Sequence, residues 1–341
     1  MAGYNLAIVG ATELTGQELI KILQSRRFPV NNIKFLTNPA QYVPGRRVFF
    51  SGKDFEVPEI TSRAFKEVDI AFFCGDAETA QHFAPIITEF GCFVIDVSGA
   101  FRGDEKVLSI IPEINAEELQ QLKKKRLVAS PSPAVIQLSL PLNTLRQWTS
   151  LRRLIVHSYE PVSESGHSAV EFLTTEARTV LDGKNVIPHT YHHQIAFNLL
   201  PETENFLDTG LTRSEARIIR EIKRLWRMPE LNIAVTAIRV PLYQGMSQSI
   251  IVDLGKKVTP DEMREVMGDT PGVKVSDDPS VNLYPQPWQS INTDDIVVGR
   301  IRELDSNYNT MAFWSCMDNL RKGSALNAIQ IAESASRLKL V

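Results

Sequence analysis

The run Leu6-Ala7-Ile8-Val9-Gly10-Ala11-Thr12-Glu13-Leu14-Thr15-Gly16 sets an apolar strand, a glycine turn and a helix start in succession. That order can hold a pyrophosphate, because backbone N–H groups and the positive end of the helix dipole converge on the anion. Gly10 and Gly16 suit a tight turn and close strand-to-helix packing. Glu13 puts a carboxylate in the same turn. Two unit charges about 4 Å apart repel by about 4 kcal/mol at an effective dielectric of 20, unless Glu13 rotates outward. Two readings follow: a phosphate cradle that Glu13 weakens, or a purely structural helix start capped by Thr12 or Thr15. The carboxylate favours weak or absent dinucleotide binding.

Other side chains with chemistry are dispersed. Cys74, Cys92 and Cys316 are widely spaced. They fit neither a disulfide framework nor a metal site, and they agree with a reducing compartment. Cys74 follows an apolar strand, where cysteine is usually a small buried hydrophobe. His157, His167, His189, His192 and His193 are scattered, and the His192-His193 pair has no carboxylate or cysteine at ligand spacing. No metal is expected.

The 341-residue length allows two domains. The hydrophobic fraction of 43% and charged fraction of 23% are ordinary for a globular chain. A net charge of −3 and a pI near 6.1 give no long-range attraction to nucleic acid or an anionic membrane. The start of the chain shows no basic n-region or cleavage signal, and no apolar run is long enough to span a membrane. These features lead to the expectation of a cytoplasmic protein with neither nucleic-acid nor membrane partners.

The elements that must position the turn alternate. Residues 6–9, 33–36, 69–73 and 92–97 read as short apolar strands, with helical patterns over 15–26 and 77–90. Such alternation implies a parallel sheet covered on both faces, the doubly wound nucleotide-binding architecture. Past residue 150 the strands lengthen, over 154–159, 233–240, 248–254, 296–301 and 312–316, with only two clear helices, 169–181 and 214–226. That texture implies a mixed or antiparallel sheet with helices on one side. A sheet face left uncovered calls for a partner. Residues 269–292 read as an extended loop, and 323–338 as a closing amphipathic helix.

Several ordered motifs resemble the aspartate-semialdehyde dehydrogenase family. They are the Gly10 to Gly16 turn, Ser98-Gly99-Ala100-Phe101-Arg102, Pro112-Glu113-Ile114-Asn115, Arg239-Val240-Pro241, Val298-Gly299-Arg300-Ile301-Arg302, and the run from Asp318-Asn319 to Leu326-Asn327-Ala328. The resemblance implies an α/β fold: a Rossmann-like nucleotide-binding domain, residues 1–132 plus 323–341, with an inserted α+β dimerisation domain, residues 133–322. It implies a homodimer and an NADP or NAD cofactor.

Aligned on Ala129-Ser130-Pro131-Ser132-Pro133-Ala134-Val135-Ile136-Gln137, the family's nucleophilic cysteine falls at Pro133. In Arg239-Val240-Pro241-Leu242-Tyr243-Gln244-Gly245-Met246-Ser247, its histidine base falls at Met246. Proline has no nucleophilic atom, and a thioether moves no proton at neutral pH. Ser132 stands beside Pro133 but has no base in Met246. The family's phosphate-binding arginine corresponds to Arg102, and its carboxylate-binding arginine to Arg239. Glu221 takes the position that binds the substrate amino group, and Arg224 that of a phosphate-binding lysine, one helical turn on. Glu160 replaces the glutamine that contacts the acyl group, and Glu164 enters the same pocket. Asn319 falls in the nicotinamide region, with Asp318-Asn319 alternatively a cap for the last helix. Gly10, Ala11, Thr12, Glu13 and Gly16 form the cofactor turn. The middle glycine of that turn is Glu13, and the cofactor-selecting stretch Leu36-Thr37-Asn38-Pro39-Ala40-Gln41 carries no charge.

The expectation is a degenerate bacterial paralogue without dehydrogenase activity. Its arginines and glutamates form either a small-anion site or a stabilising ion-pair cluster. The rival is an NAD(P)-dependent oxidoreductase acting on an aldehyde or oxo group by altered chemistry.

Overall fold

The computed structural model describes residues 3–122, 126–305 and 309–341. Two compact units emerge: Met1–Ser132 together with Ser324–Val341, and Pro133–Gly323.

In the first unit the strands are β1 (Tyr4–Val9), β2 (Val30–Leu36), β3 (Arg47–Phe50), β4 (Lys53–Glu56), β5 (Ile70–Phe73), β6 (Phe93–Asp96), β7 (Leu108–Ser109) and β8 (Leu127–Ala129). Six of them form one sheet in the order β2-β1-β5-β6-β8-β7, and every pairing is parallel. β3 and β4 make a separate antiparallel hairpin, which Arg47 opens. The helices are α1 (Leu14–Ser25), α2 (Ala77–Thr88) and the short α3 (Pro112–Asn115). Successive strand residues serve opposite faces. Ala7, Val9, Ala71 and Val94 pack with Ala80, Ala84 and Ile87 of α2. Leu6, Ile8, Phe72 and Ile95 pack with Leu19 and Leu23 of α1.

The second unit opens with α4 (Pro133–Trp148), followed by β9 (Leu151–Pro161), α5 (His167–Leu181), α6 (Arg213–Leu225), β10 (Asn232–Val240), β11 (Met246–Leu254), α7 (Pro260–Gly268), β12 (Val273–Val275), α8 (Pro287–Ser290), β13 (Ile296–Asp305) and β14 (Thr310–Met317). The sheet order is β10-β9-β11-β14-β13-β12, with parallel pairs at both ends and antiparallel pairs between. Two sequence expectations are corrected. Helix α7 joins the two anticipated past residue 150, and β12 and α8 lie within the stretch expected to be a loop. α4, α6 and α7 pack on one sheet face. On β9 that face carries buried Val156, Ser158 and Glu160, whereas Ile155, His157 and Tyr159 on the other face stay half-buried.

α6 is fixed by a capping box. Thr212 Oγ1 accepts from the Glu215 N–H at 3.2 Å, and the Glu215 carboxylate accepts from the Thr212 N–H at 2.7 Å. The other Glu215 oxygen accepts from the Ala237 N–H of β10 at 2.9 Å, which pins the helix to the strand. The chain returns to the first unit as α9 (Leu326–Arg337), where Leu326 and Ile329 join the α1 side of the core.

Candidate functional site

The glycine turn of the first unit lies at the carboxyl ends of β1 and β5, where the strand order switches direction. Gly10 has φ +79°, and a Cβ there would stand 2.5 Å from the Gly75 nitrogen. A Cβ on Gly16 would stand 2.1 Å from the Gly10 carbonyl oxygen. Both glycines are required by the backbone approach. Ala11 and Thr12 are buried. Glu13 is the N-cap of α1, and its side chain makes no capping hydrogen bond. The anticipated cap by a threonine is therefore replaced by a glutamate at the N-cap position.

Asn38 is committed elsewhere. Its Nδ2 donates to Asp76 Oδ2, and its Oδ1 accepts from the Gln41 N–H at 2.7 Å. Asp76 caps α2, accepting from Thr79 N–H at 2.7 Å and Thr79 Oγ1 at 2.9 Å. Partial burial opposes its ionisation, but the bonds from Thr79 and Asn38 win and hold its carboxyl below the usual range. The backbone of this turn suits a pyrophosphate. Its charges do not suit a 2′-phosphate: Glu13 and Asp76 bring carboxylates, and residues 10–16, 36–41 and 74–76 hold no lysine or arginine.

Arg102, in the same unit, is partly spent on backbone. Its Nε donates to the Ser130 carbonyl at 3.0 Å and its Nη2 to the Val97 carbonyl at 2.9 Å.

In the second unit a network of charge surrounds buried Glu160 and Arg239, register partners on β9 and β10. Arg239 is 3% exposed, and Glu160 and Glu221 are likewise buried. Arg239 Nη1 donates to the Pro161 carbonyl at 2.7 Å, and Nη2 donates to Thr203 O at 3.4 Å. Nη2 lies 3.9 Å from Glu160 Oε2. Arg217 of α6 binds Glu204 through two bonds, at 2.7 and 3.1 Å, and lies 3.7 Å from Glu221. Burial pushes the Glu160 carboxyl up; Arg239 opposes this, Glu164 adds to it, and the result is about 7. Burial alone would lower Arg217, but the Glu204 bond and the nearby carboxylates hold it above its usual value.

Sequence reasoning found Glu160, Glu221 and Arg239, and the fold brings them together. It missed Arg217 and Glu204. The spacing of Arg217 to Glu221, one i,i+4 step, was the available signal. Arg224 is only partly buried and lines a surface depression with Arg220, Lys223 and Arg227.

Asn319 is fully buried. Its Oδ1 accepts from the Gly245 N–H at 3.1 Å, and its Nδ2 donates to Ser163 Oγ at 3.0 Å and Glu164 Oε1 at 2.6 Å. Asp318 accepts from Gln244 Nε2 and from the N–H groups of Asn292, Leu320 and Arg321. The pair locks the β10–β11 turn to the segment after β14.

Pro133 begins α4 and Met246 begins β11; both are buried. Gln137 Nε2 donates to the Met246 carbonyl at 3.4 Å and to Ser315 Oγ at 2.9 Å. Gln248 Nε2 donates to the Ala134 carbonyl at 2.9 Å. The first turn of α4 is thereby tied to the start of β11. Cys316 lies nearby, paired in register with Ser247, and burial raises its thiol to about 11. Burial raises Cys92 to about 12, and burial and Asp96 push Cys74 higher still. Thiols so placed are inert. No cluster of metal-ligating side chains occurs among the described residues.

Residues 5–122 match the NAD-binding domain of semialdehyde dehydrogenases, and residues 142–322 match the dimerisation domain. The chain belongs to the aspartate-semialdehyde dehydrogenase family. It is 34% identical to the aspartate-semialdehyde dehydrogenase of Bacillus subtilis over 347 residues, covering 99% of each chain. The Aquifex aeolicus aspartate-semialdehyde dehydrogenase is 35% identical over 333 residues, covering 97% of each. Among solved structures, aspartate semialdehyde dehydrogenase II of Vibrio cholerae, complexed with ASA, superposes with a TM-score of 0.94 at 28% identity, covering 99% of each chain.

Proposed function

We propose that this family member has lost the covalent dehydrogenase reaction and serves as a homodimeric protein whose former substrate pocket takes a small anion in a regulatory role. The observation that carries the reading is the occupancy of the two chemical positions. Pro133 and Met246 stand where the family resemblance puts the thiol and its base, and Gln137 ties their two elements together. Neither side chain forms a thiohemiacetal or moves a proton. Cys74, Cys92 and Cys316 offer no thiolate in their place, because all three are buried with raised values. Arg239 remains as the anchor for a carboxylate, and Glu221 as the partner for an amino group.

The dinucleotide crevice keeps its glycine backbone and carries two carboxylates, so NADP and NAD are proposed to bind weakly. Three free cysteines agree with a reducing, cytoplasmic location. Purified protein should not oxidise aspartate semialdehyde with NADP and phosphate. A turnover of about 1 to 1000 per second would overturn the proposal.

One observation favours a second reading. The Gly10–Gly75 approach and the Gly16 contact are intact, as a hydride-transferring enzyme without a covalent cysteine step would need. Tight cofactor binding would select that alternative.

A further inference from the structure

Arg239 is deeply buried yet incompletely paired. Its Nε has no hydrogen-bond partner, its Nη2 bond to Thr203 O is long at 3.4 Å, and Glu160 lies at 3.9 Å as a charge neighbour. Beside it runs the segment that holds Leu200 and Thr203. Leu200 and Arg239 exchange both backbone hydrogen bonds, at 2.8 and 3.1 Å. Leu200 and Thr203 also line a polar cavity of about 250 Å³ with Ser165, Tyr191, Glu202 and Glu204. The Thr203 hydroxyl is buried without a partner. A polar cavity thus ends on the two residues that back an under-satisfied arginine.

We propose that Glu160 is a resident counter-ion that closes Arg239 to anions, and that a small carboxylate entering from this cavity pairs with Arg239 only as Glu160 takes up one proton. This rests on the small-anion reading above and adds the gate.

The charges facing Glu160 require the proton. β10 presents Arg239; the turn after β9 presents Glu164, which receives the Asn319 amide; α6 presents Arg217, bound to Glu204 and near Glu221. On β9 itself, Ser158 Oγ donates to Glu160 Oε1 at 3.3 Å. Glu164 already sets a second carboxylate beside Glu160. An added carboxylate would bring further negative charge against buried Glu160, where unpaired charge is costly. Protonating Glu160 cancels the addition and leaves the Arg239 charge, with its unpartnered Nε, to the incoming carboxylate. Burial first, then Glu164 against the pull of Arg239 and Arg217, brings the Glu160 carboxyl to about 7, so the proton is exchanged near neutrality.

The test is calorimetric titration of the full chain with acetate, in two buffers of different ionisation enthalpy. Affinity should rise about tenfold per pH unit lowered above the Glu160 value and level off below it, with uptake of about one proton per acetate at about pH 8. Glu160→Gln should abolish the uptake, flatten the pH profile and bind acetate more tightly than the parent at about pH 8. If parent and variant bind acetate alike, without proton uptake, the gate is overturned and the anion site stands. Uptake that persists in Glu160→Gln assigns the proton elsewhere and also overturns the gate. If neither protein binds acetate at any pH, the gate and the small-anion reading fall together.

Discussion

Gln137 donates its side-chain amide to the carbonyl of Met246 at 3.4 Å, joining the second turn of α4 to the first residue of β11. Gln248 answers from β11, donating to the carbonyl of Ala134 at 2.9 Å. Both glutamines are fully buried, so the two elements keep one register. This makes the chemistry at Pro133 and Met246 testable by restoration. Pro133→Cys with Met246→His should give a thiol that alkylates faster than Cys74, Cys92 or Cys316, because reactivity follows the thiolate fraction. Pro133→Cys alone should react more slowly, lacking a base. Mass spectrometry of alkylated peptides against pH reads both. Identical titration of the new thiol in the single and double variants would show that the positions do not communicate.

The crevice charges predict the cofactor affinity. Calorimetry with NADP and with NAD should give dissociation constants in the high micromolar range or weaker, about −5 kcal/mol or less favourable. Glu13 caps α1 by position without a capping bond, so Glu13→Gly removes like charge at little cost to the helix. Binding of both cofactors should strengthen in that variant. A submicromolar constant for the parent chain would reverse the reading.

The glycine turn was legible because its apolar strand, glycine spacing and helix start are contiguous in sequence. The doubly wound alternation was legible for the same reason. Gly75 and Asp76 were not, because parallel pairing of β5 beside β1 brings them to the turn. Arg217, bound to Glu204, comes near Glu160 only once Glu215 has pinned α6 to β10. α4 is buried nearly all round from Pro133 to Leu142 and contains Pro141, so it shows an apolar run in place of an amphipathic stripe. Three-residue β12 is too short to display a period.

The outer face of the second sheet predicts assembly. Ile155, Tyr159, Ile251 and Trp314 are half-buried there, with the Tyr159 and Trp314 ring centroids 5.4 Å apart. Two copies meeting on this face should bury more than about 2,000 Å² in total, the range of obligate dimers. Light scattering at micromolar concentration should report twice the chain mass, and Ile251→Glu should reduce it to one. A stable parent monomer would leave this face needing a different cover.

Glu160 also ties fold stability to pH, in a direction opposite to that of a paired carboxylate. Its folded value of about 7 lies above the ordinary 4.5. The folded state therefore holds the proton more tightly than the unfolded chain. The stabilisation is fully present below the ordinary value and is lost as pH rises through about 7. A shift of this size corresponds to about 3 kcal/mol across the window. Other groups titrate in the same range, so the informative quantity is the difference between the parent and Glu160→Gln. Glutamine keeps the shape and cannot ionise. Urea unfolding should show the variant more stable than the parent at about pH 8, with the gap closing towards about pH 5. A gap of the opposite sign at about pH 8 would mean that pairing with Arg239 outweighs burial. Glu160 would then be a firm ion-pair partner, unfit to act as a proton-dependent gate.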